Sequence, residues 1–241
     1  MSRAACCVLL VVAAACSSAR GNSAAPATTS TSVTTTTEVT TTTSTSTTTT
    51  LPPVPTRQVN EQDWIAFGAA GDVTVHFPSR RVERIGFHQS NNEGSRRIDA
   101  WPTGVPVTTM ESRDRLSDLQ SSADVVVDPE SDIRAPVSGT VVSSGSYDLY
   151  CGLFDYFLNI EPDDHPGWLV KVLHITGLEV HNGDRVVQGE TVIAPHARQL
   201  PFESQVDELR TVDPAWPHVH IEVVDPSIPN VPNPGSGYEN C

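Results

Sequence analysis

The sequence predicts an all-β domain, and three observations carry that prediction. From about residue 73 onward, short runs rich in Val, Ile, Tyr and Phe are broken by Gly, Pro, Asn or Asp, which is how strands and turns alternate. Apolar residues at helical spacing are scarce. Two segments share a glycine-turn pattern: "IRAPVSGTVVSSG" (133–145) and "VHNGDRVVQGETVIAP" (180–195).

The strand candidates follow in chain order. "VTVHF" (73–77) alternates branched and polar residues, and "DVVVD" (124–128) is a Val run between carboxylates. "GTVVSSG" (139–145) and "YFLNIEP" (156–162) lie on either side of an aromatic and Cys-containing stretch. "WLVKVLHI" (168–175), "DRVVQGETVIAP" (184–195) and "HVHIEVVD" (218–225) complete the set. β-Branched and aromatic residues suit a pleated, half-buried surface. Glycines in the two turn segments are expected to permit tight turns between strands. "SRDRLSDLQSSAD" (112–124) and "SQVDELRTV" (204–212) are each read as a turn or two of helix. Prolines crowd the chain after Asp225, as in an extended tail over the surface.

Upstream of this domain the composition changes. "MSRAACCVLLVVAAACSS" has one Arg, a short apolar stretch and small residues, the pattern of a secretory signal over residues 1–15. Ala13, Ala14 and Ala15 before Cys16 resemble the lipobox of bacterial lipoproteins, which implies lipidation of Cys16. Between positions 28 and 50 only Val33, Glu38 and Val39 are not Ser or Thr. Such a tract buries too little apolar surface to offset its chain entropy, so residues 16–56 are expected to be a disordered linker. Fully stretched, it would reach about 130 Å at roughly 3.3 Å per residue. The chain is thus divided into a signal (1–15), a tether (16–56) and one domain (57–241) placed outside the cell in a bacterial envelope.

The formal charge is −14 over 241 residues, which disfavours nucleic acid as a partner. Membrane association is expected through the lipid anchor only. Of the five cysteines, Cys6 and Cys7 leave with the signal and Cys16 is the lipid site. Cys151 and Cys241 remain, and an oxidising compartment makes a disulfide between them the expectation. Without a CxxC spacing, a zinc site built on this pair has no support.

The glycine turns have the pattern of a barrel-sandwich hybrid, which lipoyl and biotinyl carrier domains share. Those carriers need a lysine at a hairpin tip, but the only lysine here, Lys171, sits amid strand residues in "WLVKVLHI". The last motif points elsewhere. In "PHVHIEV" (217–223), His218 and His220 lie two apart, so on a strand they face the same side. Together with "VLHI" (172–175) and "VHNGDRVVQGETVI" (180–193), in this order, it resembles the lysostaphin-type (LytM-like) zinc metallopeptidases of bacterial cell walls. The similarity covers a core of residues 124–224.

The resemblance implies a LytM-like β-sandwich and, residue by residue, a zinc site. His220 and Asp124 become metal ligands, while His174 and His218 act on the attacking water and the oxyanion. Zinc would act as a Lewis acid toward water and an amide carbonyl. The pattern breaks four residues before Asp124. There the family has its first ligand histidine and this chain has Gln120, whose neutral oxygen binds zinc far more weakly than imidazole. His88 in "GFHQSNNEG" (86–94) is the candidate replacement. The segment before "PHVH" also departs, inserting "ARQLPFESQVDELRTVDPAW" (197–216). Three functions fit these features. One is a degenerate, non-catalytic wall protein with an incomplete zinc site that binds peptidoglycan or a wall hydrolase. The others are an active zinc endopeptidase cutting peptidoglycan cross-links and an envelope scaffold or adaptor. The missing histidine and the insert weigh toward the first.

Overall fold

A computed structural model describes residues 55–149 and 152–231, all within one compact unit. The signal, most of the tether, Cys16, Cys151 and Cys241 lie outside the described residues. The chain enters through β1 (Asn60–Glu61), β2 (Ala66–Ala70), β3 (Val73–His76) and β4 (Arg81–His88). It continues through β5 (Asp99–Ala100), β6 (Val107–Thr109), β7 (Ser122–Val127) and β8 (Ile133–Arg134). Two long strands follow, β9 (Gly139–Asp148) and β10 (Phe154–Pro162), then β11 (Leu169–Thr176). Three short ones, β12 (Arg185–Val186), β13 (Val192–Ala194) and β14 (His196–Ala197), precede the last, β15 (His218–Val224). The protein is all-β, as its sequence predicts. Among the described residues the one helical element is a 3-10 turn, Gln205–Leu209, and no helix is long and apolar enough to cross a membrane.

The main sheet runs β1-β4-β7-β15-β11-β10-β9-β12, with β6 beside β4 and β14 beside β11. It stays open; no closed barrel forms. Its neighbours are antiparallel apart from the β4–β6 pair. Two small sheets, β3-β2-β5 and β13-β8, complete a sandwich-like arrangement. One apolar cluster joins Phe67, Val73 and Val75 of the β3-β2-β5 sheet, and Phe77 just after β3, to Ile85, Phe87, Val125, Val172, Val219 and Ile221 of the large one. The rings of Phe67, Phe77 and Phe87 sit 5.3 and 6.4 Å apart across that junction. Side chains of this size, removed from water, contribute about 1.5–3 kcal/mol each.

Alternation then decides what the other face carries. With Val219, Ile221 and Val223 in the core, His218, His220 and Glu222 must emerge on the opposite side of β15. On β7 the same rule sends Ala123, Val125 and Val127 inward and leaves Ser122, Asp124 and Val126 with the histidines. The register seats His220 directly opposite Asp124, and Gly86 of β4 opposite Asp124 on its other side.

Several sequence expectations change. Strand β4 escapes detection because a register shift between Val82 and Arg84 interrupts its two-residue period. The segment 112–124 forms turns and the start of β7, not helix. There the buried Gln89 side chain takes over the backbone partners a helix would use. It donates to the carbonyls of Arg115 and Ser117 and accepts from the Arg113 N–H. The turn glycines divide in role. Gly183 adopts a positive φ of 92°. Gly139 has no such need; an added Cβ would lie 2.2 Å from the Glu161 carbonyl oxygen.

Candidate metal centre

Five polar side chains foreseen in the sequence meet on the face opposite the core: His88 from β4, Asp124 from β7, His174 from β11, and His218 and His220 from β15. All are buried, at 3–9% exposure. One ligand atom from each of His88, Asp124 and His220 falls within 4.8 Å of the others. Asp124 Oδ1 is 2.7 Å from His220 Nδ1 and 3.1 Å from His88 Nε2, while Asp124 Oδ2 is 3.7 Å from His218 Nε2. Gln120 takes no part. It stands in the turn before β7, and its side-chain amide donates to Thr109 Oγ1 at 2.8 Å.

The imidazoles are held from behind. His88 Nδ1 is 3.0 Å from the Gln89 carbonyl oxygen, which can only accept, so this nitrogen carries the proton. Ser122 Oγ lies 3.1 Å from the same nitrogen. His220 Nε2 donates in the same sense to Glu222 Oε1 at 2.8 Å. Glu222 is itself fixed by the Ser90 hydroxyl at 2.8 Å, the Ser95 hydroxyl at 3.2 Å and the Lys171 ammonium at 3.7 Å. A carbonyl or carboxylate on the far nitrogen of each imidazole is how metal-binding histidines are oriented. His88 Nε2, the ring's other nitrogen, is buried and faces Asp124 Oδ1 at 3.1 Å. Two such atoms repel unless a proton or a metal cation lies between them.

Charge in the cluster follows from these positions. For Asp124, burial opposes ionisation, but the neighbouring imidazoles His88, His218 and His220 outweigh it and hold the carboxyl well below its ordinary range. His218 goes the other way: burial, with little compensation, pushes it down to about 3, so it is a neutral imidazole at physiological pH. In His220 burial is overcome by hydrogen bonds to Asp124 and Glu222, raising it to about 9 in the metal-free protein. Glu222 is lowered despite its burial by Lys171 and His220.

His174 reaches the cluster by a distortion of β11. Between its pairings with β10 the register slips, and His174 is the extra residue, at φ 61°. Such a bulge re-aims one side chain next to a site. The ring ends 5.0 Å from that of His218 and 5.7 Å from that of His220, centroid to centroid. Its Nδ1 lies 2.6 Å from Asp155 Oδ2. Asp155 and Glu222 escaped the sequence reading. Glu222 carried a signal, since it continues the period-two face of His218 and His220. Asp155 carried none, because only the β10–β11 pairing brings it near.

The donor set of two imidazoles and one carboxylate suits zinc, with an open position for water or substrate. The residues present therefore fit the metal. Compared with protein-family models, curated proteins and solved structures, the chain matches none.

Proposed function

We propose that this domain is a zinc-dependent hydrolase of the bacterial envelope, LytM-like in its arrangement, that cuts a peptide amide of the cell wall. In this reading His88 takes the place that Gln120 vacates, and His88, Asp124 and His220 hold the metal. The observation that carries it is the convergence of one ligand atom each from His88, Asp124 and His220 within 4.8 Å, with the far nitrogen of each imidazole anchored by an acceptor. Zinc there supplies Lewis acidity toward water and a carbonyl group. The protein's own contribution is proton handling. His218, a neutral imidazole 3.7 Å from Asp124 Oδ2, can hold the attacking water or the oxyanion by a hydrogen bond. His174, braced by Asp155, can take a proton from that water and return it to the leaving amine.

The burial of the cluster favours a second reading, a non-catalytic wall-binding protein that retains the metal site; His218 is only 3% exposed. One experiment separates the two. Metal content of the full chain is measured after dialysis against trace zinc and iron, beside His88→Ala, His220→Ala and Gln120→Ala. Near-stoichiometric zinc that both histidine variants lose, and Gln120→Ala keeps, is the expected result. Release of soluble fragments from cross-linked peptidoglycan then supports the hydrolase. Zinc retained with no turnover, but with co-sedimentation of the wall, supports the binding protein. No retained metal overturns both.

A further inference from the structure

Beyond Asp124 and Glu222, the cluster contains a third carboxylate, Asp155. Asp155 is fully buried in β10, at 0% exposure. Its Oδ2 accepts from three donors: the His174 ring Nδ1 at 2.6 Å, the His174 backbone N–H at 3.2 Å and the Tyr147 hydroxyl at 3.1 Å. Two of these come from one residue, held in a left-handed backbone conformation that a non-glycine residue adopts only at a cost. A strained bulge persists only where the surroundings over-determine it, and here one oxygen atom holds both the backbone and the ring of the bulged residue. Burying an ionised carboxylate is itself costly. Its nearest cation, Arg198, stays 3.9 Å from Oδ1, outside hydrogen-bond distance.

We infer that Asp155 is a positioning residue that fixes His174 in the Nδ1–H tautomer and turns its other nitrogen, Nε2, toward the reaction. This rests on the hydrolase reading for its purpose, although not for its geometry. A carboxylate can only accept, so the proton resides on Nδ1, and in the neutral ring Nε2 carries the lone pair. When Nε2 takes up a proton, the same carboxylate steadies the imidazolium. His174 can then take a proton and return it without rotating. His218 has no such partner, since its closest carboxylate oxygen, on Asp124, is 3.7 Å away. The two histidines are thus unequal: His174 has a buried carboxylate on its ring, and His218 has none within hydrogen-bond distance.

The test uses the full chain, zinc-loaded and 15N-labelled at histidine, beside Asp155→Asn, Asp155→Glu and a His174→Gln variant that assigns the signal. In the native protein His174 should show Nδ1–H with unprotonated Nε2. In Asp155→Asn the amide can donate to Nδ1, so the proton should move to Nε2. Zinc content should stay native while kcat for wall fragments falls about 10²–10⁴-fold with KM little changed, the worth of one positioned acid–base group. Asp155→Glu should restore the tautomer and part of kcat. A native His174 protonated on Nε2, or an Asp155→Asn protein with native tautomer and native kcat, overturns the inference. Loss of zinc from the native chain would overturn the hydrolase reading alone, because the tautomer is read without turnover.

Discussion

At the scale of residues, the cluster is a set of like groups given different tasks by their neighbours. His218 and His220 share a strand and a face, yet one is pushed down to about 3 and the other raised to about 9. The difference lies in hydrogen-bond partners: His220 has a carboxylate at each nitrogen and His218 has none within hydrogen-bond distance. This predicts a particular pH profile for the metal-stripped protein. His220, raised above its unfolded value near 6.5, adds stability that is full below that value and lost as pH rises through about 9. His218, depressed, adds stability that is full above 6.5 and lost as pH falls through about 3. Chemical denaturation across pH should therefore place the maximum near 6.5. Zinc should flatten the alkaline side, because ligation replaces the proton on His220 Nδ1. A metal-free profile that keeps rising to pH 9 would contradict it. Glu222→Gln should weaken zinc affinity about 10–100-fold by loosening His220, as read by competition with a chelating dye.

At the scale of elements, two close approaches fix how strands and insert meet. Gly139 lies against Glu161 and Ile160 of β10, where a Cβ would strike a backbone oxygen that cannot move aside. Gly139→Ala should cost about 3 kcal/mol, seen as a lower denaturation midpoint at unchanged m-value; a shift below 1 kcal/mol would mean the strands separate easily. Gly86 plays a softer version of the part. Opposite Asp124, it lets Val206 of the 3-10 turn and Met110 settle on the sheet, with Val126 beneath them. The insert is therefore seated beside the candidate centre by a missing side chain. The 3-10 turn is short but well begun, since the Asp207 carboxylate accepts from both the N–H and the hydroxyl of Ser204.

At the scale of the whole molecule, one residue near the start of the domain joins three distant segments. The Arg57 guanidinium pairs with the buried Glu83 of β4, donates to the carbonyls of Val212 and Pro214, and lies 4.6 Å from the Trp216 ring centroid. Arg84 adds a bond to the Leu209 carbonyl. The N-terminal end of the described chain thus clamps the insert that flanks the cluster. Arg57→Ala should destabilise the domain by about 2 kcal/mol, the worth of a charge-assisted bond to a partly buried partner. Hydrogen exchange should quicken over residues 205–212 first, and uniform exchange across the sheet would argue against a local clamp.

The sequence by itself determined the fold class and most of the chemistry's parts. Valine and isoleucine at period two dictate strands, and that same period places His218 and His220 on one face whatever the partner strands are. The resemblance singled out His174 through "VLHI" and Asp124 by its spacing before "GTVV", and the departure at Gln120 was legible beside them. Only the tertiary structure brought His88 against Asp124 and His220. His88 is 36 residues from Asp124 and 132 from His220 along the chain, and a cross-strand register, not local spacing, brings the three together. Asp155 was hidden for the same reason, compounded by a bulge that no periodicity announces. Local pattern reports which way a side chain faces; which side chains share that face depends on strand order, and strand order is settled by the packing of the whole core.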